Sequence, residues 1–316
     1  MGEFETLKQQ FPRVRRGVPL KKHTTFRIGG AAKYFFAART SDELESAVRT
    51  AKELELPFFL LSGGSNVLVS DNGFPGLVIQ IKNSKFKIEN SAVRAEAGVQ
   101  MATLVKETGK RGLQGLEWAG GLPGTLGGAV RGNAGAFGGE IKDSVLRVEA
   151  IDQKGKRRMF SKKQCKFSYR SSIFKERGYI VLSATLQLKK GDKKNIQTIA
   201  KKHIQYRKEK HPLEYPSAGS IFKNCDLAKT PKKMQEHFKD VIKMDPFPVI
   251  PTAVIIARAN LPGLRCGGAQ VSEKHPNYIV NRGDARAKDV LELIAKVKRE
   301  IKNKFGVDLE EEITIL

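Results

Sequence analysis

After Thr40, which offers an N-cap with Glu43 three residues on, the apolar positions Leu44, Ala47, Val48, Ala51 and Leu54 recur at helical spacing until Pro57 stops the pattern. Around that helix, AAKYFFAA at 31–38, FFLL at 58–61 and VLV at 67–69 read as strands. Strand, helix and strand make an α/β unit, and SGGSN at 62–66 is a Gly-Gly turn at a strand end, a place for a ligand that a plain hairpin-like connection would also fit. From 76 to 98 the pattern shortens to the strands LVIQI, FKIE and AVRAEAG, followed by a helix over 101–110. VLRVEAID, KRRMF and YIVLSATLQLKK read as strands between 145 and 190, interrupted by the polar FSYRSSIF at 167–174. A helix over 193–208 with Ile196, Ile199, Ala200 and Ile204 on one face leads into a new domain. The strongest periodicity comes last: Val290, Ile294, Val297, Ile301 and Phe305 are spaced four, three, four and four, with Gly306 in the C′ position.

One stretch has neither period. Residues 119–138, AGGLPGTLGGAVRGNAGAFG, are dense in glycine, which weakens helices and strands, so the pattern predicts a loop whose main chain comes close to something else. Exposed N–H groups in such a loop form a cradle for phosphate oxygens. A flexible linker would lack the apolar anchors Trp118, Leu122, Leu126, Val130 and Phe137. The GxGxxG dinucleotide fingerprint does not fit, because the flanking strand, helix and acidic residue are missing.

The chain has 316 residues, 40% of them apolar, enough for two or three domains with a sizeable core. Its 57 Lys and Arg against 33 Asp and Glu leave a net charge of +24 that attracts polyanions, whether nucleic acid or a small molecule bearing phosphates. The basic residues are dispersed, in short clusters at 13–16, 154–158 and 201–210, and no zinc-finger spacing or RNA-binding aromatic signature accompanies them. Cys165, Cys225 and Cys266, odd in number and far apart, suit reduced thiols, and no metal site is expected. With no apolar h-region at the N-terminus and no apolar run near the roughly 20 residues that cross a bilayer, the expected location is cytoplasmic.

The motifs TTFRIGG, GGSN, GLPGTLGGAVRGNAGAFG, YRSSIF, PSAGSIFKN, SEKHPNYIVN and LEEEI, in this order from about Pro19 to the C-terminus, closely resemble the UDP-N-acetylenolpyruvoylglucosamine reductase family. The lack of a long tyrosine-bearing insertion between YRSSIF and PSAGS is similar to its shorter, type II branch. The resemblance implies an α+β fold: a two-lobed FAD-binding domain of the vanillyl-alcohol-oxidase type, with lobes at 1–75 and 76–191, and a C-terminal α+β substrate-binding domain at 192–316. It implies non-covalent FAD on Ser62, Gly63, Gly64, Ser65, Asn66, Gly120, Gly121, Pro123, Gly124, Thr125, Gly127, Gly128, Asn133, Ala134 and Gly135. NADPH would be the reducing co-substrate and a UDP-sugar the substrate of a monomer that binds neither nucleic acid nor membrane.

The reaction implied is reduction of an enol ether bearing a carboxylate, which needs cationic or hydrogen-bonding groups where negative charge develops and one proton donor. The family's catalytic positions fall on Arg170, to hold the carboxylate, Ser220, to deliver the proton, and Glu312, to position the enolate. Tyr169, Lys210, Lys223, Asn224 and His275 match substrate-contacting positions, His275 in an expected strand ending. An isolated Arg is otherwise a solvated surface group, and a Ser beside Gly a turn residue. Strand parity over 307–316 would bury Glu311 with Val307, Leu309, Ile313 and Ile315, whereas the motif points to Glu312; regular alternation is expected only after Glu311. The chain departs from the family after Asn224, where 225–251 reads as an inserted surface helix and loop, and at Ser62, where glycine is common. An oxidase sharing the FAD fold and a basic nucleic-acid-binding protein are the competing classes.

Overall fold

The computed structural model describes residues 2–245 and 247–316; Met1, in the expected first lobe, and Pro246, in the 225–251 segment, lie outside the described residues. The chain forms two compact units, both discontinuous. One runs to Val18 and adds Ala32–Gly63 and Phe74–Arg207; the other takes Pro19–Ala31, Gly64–Gly73 and Lys208–Leu316.

In the first unit, β1 (Arg15–Pro19), β2 (Ala31–Ala38), β3 (Phe58–Leu61) and β4 (Phe74–Ile81) form a sheet in the order β1-β2-β4-β3. Both β2 and β3 run parallel to β4, which requires a crossover. Helix α1 (Ser41–Glu53) supplies it, with the Glu43 amide donating to Thr40 Oγ1 at 3.1 Å and Leu44, Ala47, Val48 and Ala51 buried, as the spacing predicts. A second sheet, wholly antiparallel, orders β5 (Phe86–Glu89), β6 (Ala92–Glu96), β7 (Val145–Ile151), β8 (Arg157–Ser161) and β9 (Ile180–Gln187) as β8-β7-β9-β6-β5. Asn83, fully buried, ties the parts together: its amide donates to Ser41 Oγ and Leu182 O at 3.1 and 3.2 Å and accepts from the Gly98 amide at 3.1 Å. Helix α2 (Met101–Lys110) has the predicted bounds.

The glycine-rich stretch is not the continuous loop its composition predicts. Leu126–Arg131 forms a short helix, α3, with Leu126, Gly127, Ala129 and Val130 buried. A Cβ on Gly127 would stand 2.7 Å from Ala97 Cβ, so glycine lets this helix settle onto β6's end, and burial overrides the low helix propensity. The next helix, α4 (Lys193–Lys210), belongs to the first unit up to Arg207, beyond the expected 191/192 boundary. The reason is contact with the glycine stretch: a Cβ on Gly120 would lie 2.5 Å from Ala200 O, and Arg207 Nε donates to Gly120 O at 2.9 Å. Its apolar face is only partly used, for Ile196 is buried while Ile204 is exposed.

In the second unit, β10 (Ser217–Ser220), β11 (Arg265–Cys266), β12 (Ala269–Val271) and β13 (Tyr278–Asn281) form an antiparallel sheet in the order β10-β13-β12-β11. Helix α5 (Ala287–Phe305) buries Val290, Leu293, Ile294, Val297 and Ile301, and Gly306 closes it at φ 72°. Residues 19–31 and 64–73 join this unit, outside the expected lobe at 1–75, through hydrogen bonds and strand pairing: the Thr25 amide donates to Gly64 O at 3.0 Å, and Val67–Leu68 pairs in parallel with Thr314–Ile315. Alternate burial of Val307, Leu309 and Ile313 holds through Glu311 and fails at Ile315, the reverse of the expectation that alternation starts after Glu311. The main-chain bridge between Phe222 and Glu311 keeps this part of the tail extended. Residues 225–251 include the helix Lys232–His237, as expected of that segment, but they are not a loose surface addition. Phe238 is fully buried, its ring 5.1 Å from that of Phe305.

Phe238→Ala is expected to lower unfolding free energy by about 3–5 kcal/mol, the usual effect of emptying a buried aromatic site. Urea denaturation checks this; a loss below about 1 kcal/mol would show that the segment is not part of the core.

Candidate active site

Two glycine loops meet in the first unit. Ser62 and Thr125 share a hydrogen bond through their hydroxyls, and a Cβ on Gly63 would lie 3.0 Å from Gly124 Cα. Ser62 needs no left-handed backbone. The turn after β3 and the turn entering α3 therefore run side by side, although 60 residues of sequence separate them. Among the described residues, the N–H groups of Gly63, Gly121 and Gly124 donate to no backbone carbonyl. The neighbouring glycines divide by use. Gly120, Gly127 and Gly135 leave no room for a Cβ against the protein's own atoms, whereas the nearest atom to a Cβ on Gly128 is Thr125 Oγ1 at 4.0 Å. Pro123 and Gly121 are exposed beside them.

The far end of the glycine stretch holds YRSS. Asn133 is fully buried, donating to Ser168 O at 2.9 Å and accepting from the Lys142 amide at 3.3 Å. Its side chain thus serves to fix the segment carrying Arg170. The Ala134 amide is likewise spent on Ala129 O at 2.8 Å. Arg170 Nη2 donates to Gly135 O at 3.2 Å, its guanidinium lies 5.0 Å from the Tyr169 ring, and Lys175 Nζ donates to Arg170 O at 3.0 Å. Arg170 itself sits at φ 54°, a left-handed backbone that costs a non-glycine residue of order 1 kcal/mol or more.

In the second unit the C-terminal tail lies along the end of β10. The Lys223 amide donates to Glu310 O at 2.9 Å, and the Glu312 amide to Ile221 O at 2.7 Å, so Glu312 is fixed one residue from Ser220. Asn66 Nδ2 donates to Glu312 O at 3.1 Å, and Ser65 O comes within 3.9 Å of where a Gly219 Cβ would be. Gly64, at φ 64°, could carry no Cβ, which would fall 2.2 Å from His23 O. Thus Ser65, Asn66, Ser220 and Glu312 form one neighbourhood. The three carboxylates separate: Glu310 pairs with Lys223, and Glu311 pairs with Lys298 of α5 at 2.7 Å. Burial pushes the Glu311 carboxyl up, but Lys298 and a backbone hydrogen bond outweigh it and hold the group below its usual range. Asn224 Oδ1 accepts from the Thr252 amide at 3.2 Å, and Lys210 is exposed at the end of α4. His275 lies not in a strand but in the tight connection between β12 and β13, where its carbonyl accepts from the Tyr278 amide at 2.9 Å.

Three supporting residues have no signal in the motifs as motifs. Thr25 Oγ1 donates to Ser217 O at 2.7 Å, tying TTFRIGG to β10. Asn277 exchanges two hydrogen bonds with the Phe222 main chain at 2.8 and 3.0 Å, holding the chain just past Ser220. Arg207, buried, supports Gly120; its place inside the basic run at 201–210 hides it among solvated lysines.

Residues 32–161 match the FAD binding domain family, and with the α+β architecture this places the chain in the class of FAD-dependent flavoproteins. Residues 211–316 match the C-terminal domain family of UDP-N-acetylenolpyruvoylglucosamine reductase. The reductase of that name from Alkaliphilus oremlandii is 40% identical over 300 residues, 94% of this chain and 91% of the relative; that from Lachnoclostridium phytofermentans is 39% identical over 310 residues, 96% and 93%. The crystal structure of the Thermus caldophilus reductase superposes with a TM-score of 0.76 at 33% identity, covering 96% of this chain and 98% of that one. The chain belongs to the UDP-N-acetylenolpyruvoylglucosamine reductase family.

The Gly63–Gly124 approach fits this cofactor, since a pyrophosphate needs converging N–H donors and no side chain over them. Gly128→Ala is expected to leave the apo-protein as stable or more so, by up to about 1 kcal/mol, yet weaken FAD binding measured by flavin fluorescence. Gly127→Ala, lacking room at Ala97, is expected to lower stability by about 1–3 kcal/mol. Equal FAD affinity in Gly128→Ala and wild type would remove Gly128 from the cradle.

Proposed function

We propose that this chain catalyses the FAD-dependent, NADPH-consuming reduction of the enolpyruvyl group of UDP-N-acetylglucosamine-enolpyruvate to UDP-N-acetylmuramate, a step of peptidoglycan precursor synthesis. Family membership over nearly the whole chain supports the reaction, and the meeting of the two glycine loops is the observation in the molecule that carries it. The first unit would hold FAD and the second the sugar nucleotide. When bound, FAD supplies hydride transfer from NADPH to the terminal carbon of the enol ether.

The chain's own residues meet the remaining demands. Hydride addition drives negative charge onto the substrate carboxylate, where the forked guanidinium of Arg170 would hold it through two parallel hydrogen bonds. Lys175, Gly135 and Asn133 fix the strained turn that carries this Arg, so the fork is aimed before substrate arrives. Ser220 would deliver the proton to the neighbouring carbon. Its main chain is braced by Thr25 three residues before and by Asn277 two residues after, which limits its freedom at the moment of transfer. Glu312, pinned through its own N–H and C=O, would hold the enolate against the proton donor. Lys223, Asn224, Lys210, Tyr169 and His275 would contact the sugar nucleotide. Among the described residues no helix is long and apolar enough to cross a membrane, and the reaction would proceed in the cytoplasm on a monomer.

Ser220→Ala is expected to leave anaerobic flavin reduction by NADPH nearly unchanged and to slow reoxidation by the enolpyruvyl sugar nucleotide about 10²–10⁴-fold, because only the second half-reaction needs a proton donor. Equal damage to both halves would assign Ser220 to the turn instead. Replacing Glu312 with Ala is expected to reduce turnover at least about 10²-fold with FAD still bound, while Glu310→Ala does little. If Glu311→Ala abolished reoxidation and Glu312→Ala were nearly wild type, the catalytic carboxylate would be the neighbour.

A further inference from the structure

The short helix α3 has two positions that its packing leaves open. Leu126, Gly127, Ala129 and Val130 are buried, whereas Gly128 and Arg131, three residues apart and so on one face of the helix, are exposed. The Ala129 and Gly132 amides hold this turn in register, donating to Thr125 O at 2.9 Å and to Gly128 O at 3.0 Å. A helical side chain leans toward the N-terminal end of its helix, so that of Arg131 starts out over the turn that Gly128 occupies. It does not cover Gly128, for the nearest atom to a Cβ there is Thr125 Oγ1 at 4.0 Å. Arg131 therefore borders the open side of Gly128 without filling it.

The main chain of Arg131 is tied in turn to the YRSS segment. Ser172 Oγ donates to Arg131 O at 2.7 Å, and Arg170, two residues before Ser172, donates to Gly135 O at 3.2 Å. Arg131 thus lies between the glycine cradle and the turn that carries Arg170. Among the described residues its guanidinium has no hydrogen bond, ion pair or aromatic partner. Its surface is accessible, yet the protein around it holds its pKa below the ordinary guanidinium value by burial, with no carboxylate acting on it. A cation both accessible and partly desolvated stands in the wall of a recess. An anionic ligand there would compensate a charge that the protein leaves uncompensated.

FAD brings negative charge in two places. The pyrophosphate is assigned to the Gly63–Gly124 crossing, ahead of α3, whereas Arg131 is the last residue of that helix, roughly 10 Å further on at the helical rise. The flavin has to reach this far end. It passes hydride to an enol ether whose carboxylate Arg170 would hold, so its reacting edge must come within about 3–3.5 Å of that substrate's terminal carbon. Flavin that takes a hydride from NADPH gains two electrons and one proton, hence one unit of negative charge, and a nearby protein charge tunes how readily it does so.

We propose that Arg131 is the counter-cation of the reduced flavin: its guanidinium faces the isoalloxazine, compensates the charge that arrives with the hydride and raises the cofactor's reduction potential. This rests on the assignment of FAD to the glycine cradle and of Arg170 to the substrate carboxylate.

The test is an anaerobic reductive titration of the FAD-loaded enzyme against a reference dye, with the affinity for oxidised FAD read separately by flavin fluorescence. Arg131→Met is expected to weaken binding of reduced FAD relative to oxidised FAD about tenfold, a fall of about 30 mV in the midpoint of this two-electron couple. Arg131→Lys keeps the charge and is expected to change that ratio less than about twofold. Arg111→Met removes the same charge just past the end of α2, where Glu107 pairs with it at 3.1 Å, and is expected to keep the wild-type midpoint. An unchanged midpoint in Arg131→Met overturns the proposal. If oxidised FAD is then bound less tightly, Arg131 belongs to the pyrophosphate; if it is bound equally well, Arg131 is a solvated surface group. Either result leaves the reductase reading intact, whereas failure of wild type to bind FAD overturns both.

Discussion

Where two turns cross with main chain against main chain, a side chain at the crossing would push them apart, and the cofactor half of this molecule depends on one such crossing, Gly63 against Gly124. The surrounding structure arranges it. The parallel pairing of β3 with β4 fixes where the first turn emerges. α3 fixes the second by settling on Ala97, a seat that exists only because residue 127 lacks a Cβ. The Ser62–Thr125 hydroxyl pair closes the gap beside the crossing. The outcome is a crossing at which, among the described residues, the amides of Gly63, Gly121 and Gly124 donate to no backbone carbonyl, as an anionic cofactor requires of its donors.

The second unit solves a different positioning problem by main-chain hydrogen bonding rather than by the absence of side chains. The last seven residues are threaded between the end of β10 and residues 66–70, with Glu310 O, Glu312 N, Thr314 N and both polar groups of Leu316 engaged at 2.6 to 3.0 Å. Each bond adds only about 1 kcal/mol net, but together they remove the slippage by which a strand edge could move Glu312 off its mark. The tail, the Asn66 turn and the Ser220 strand are therefore one rigid piece, and Arg170 gains comparable rigidity in the other unit from Asn133 and Lys175.

Much of this was legible in sequence wherever a single period governed a segment. The spacing behind α1 and α5 reports burial on one face, and the structure buries every position of each pattern except the last, Leu54 and Phe305, which are half-buried. Glycine density marked the stretch that crosses Gly63 but could not separate the uses of its glycines, because a glycine packed on Ala97 and one that faces open space are the same letter. It also hid α3, where burial of Leu126 and Val130 outweighs poor propensity. Asn133 falls among the cofactor positions of its motif, and its side chain also fixes YRSS, a role the motif does not announce. Unit boundaries were illegible for a topological reason: residues 19–31 and 64–73 leave their sequence neighbours to join the second unit, which no local pattern encodes. The charged 225–251 segment reads as surface because one buried phenylalanine among many lysines barely changes its composition.

The three consecutive glutamates show how structure separates residues that composition treats as equal. Glu310 faces Lys223 and is largely exposed, so its pairing adds little and is screened by salt. Glu311 shares a face with Val307, Leu309 and Ile313, and that face is turned to α5, where Lys298 takes its carboxylate. Strand parity was thus a sound guide to which glutamate is turned toward the helix. A carboxylate committed to a helix lysine is, however, poorly placed to respond to charge developing elsewhere, since any new role must first break that pair. Glu312 is held through its backbone to the Ser220 strand and the Asn66 turn. Parity therefore identifies the glutamate that ties the tail to α5, and the motif names its neighbour, which the main chain holds instead.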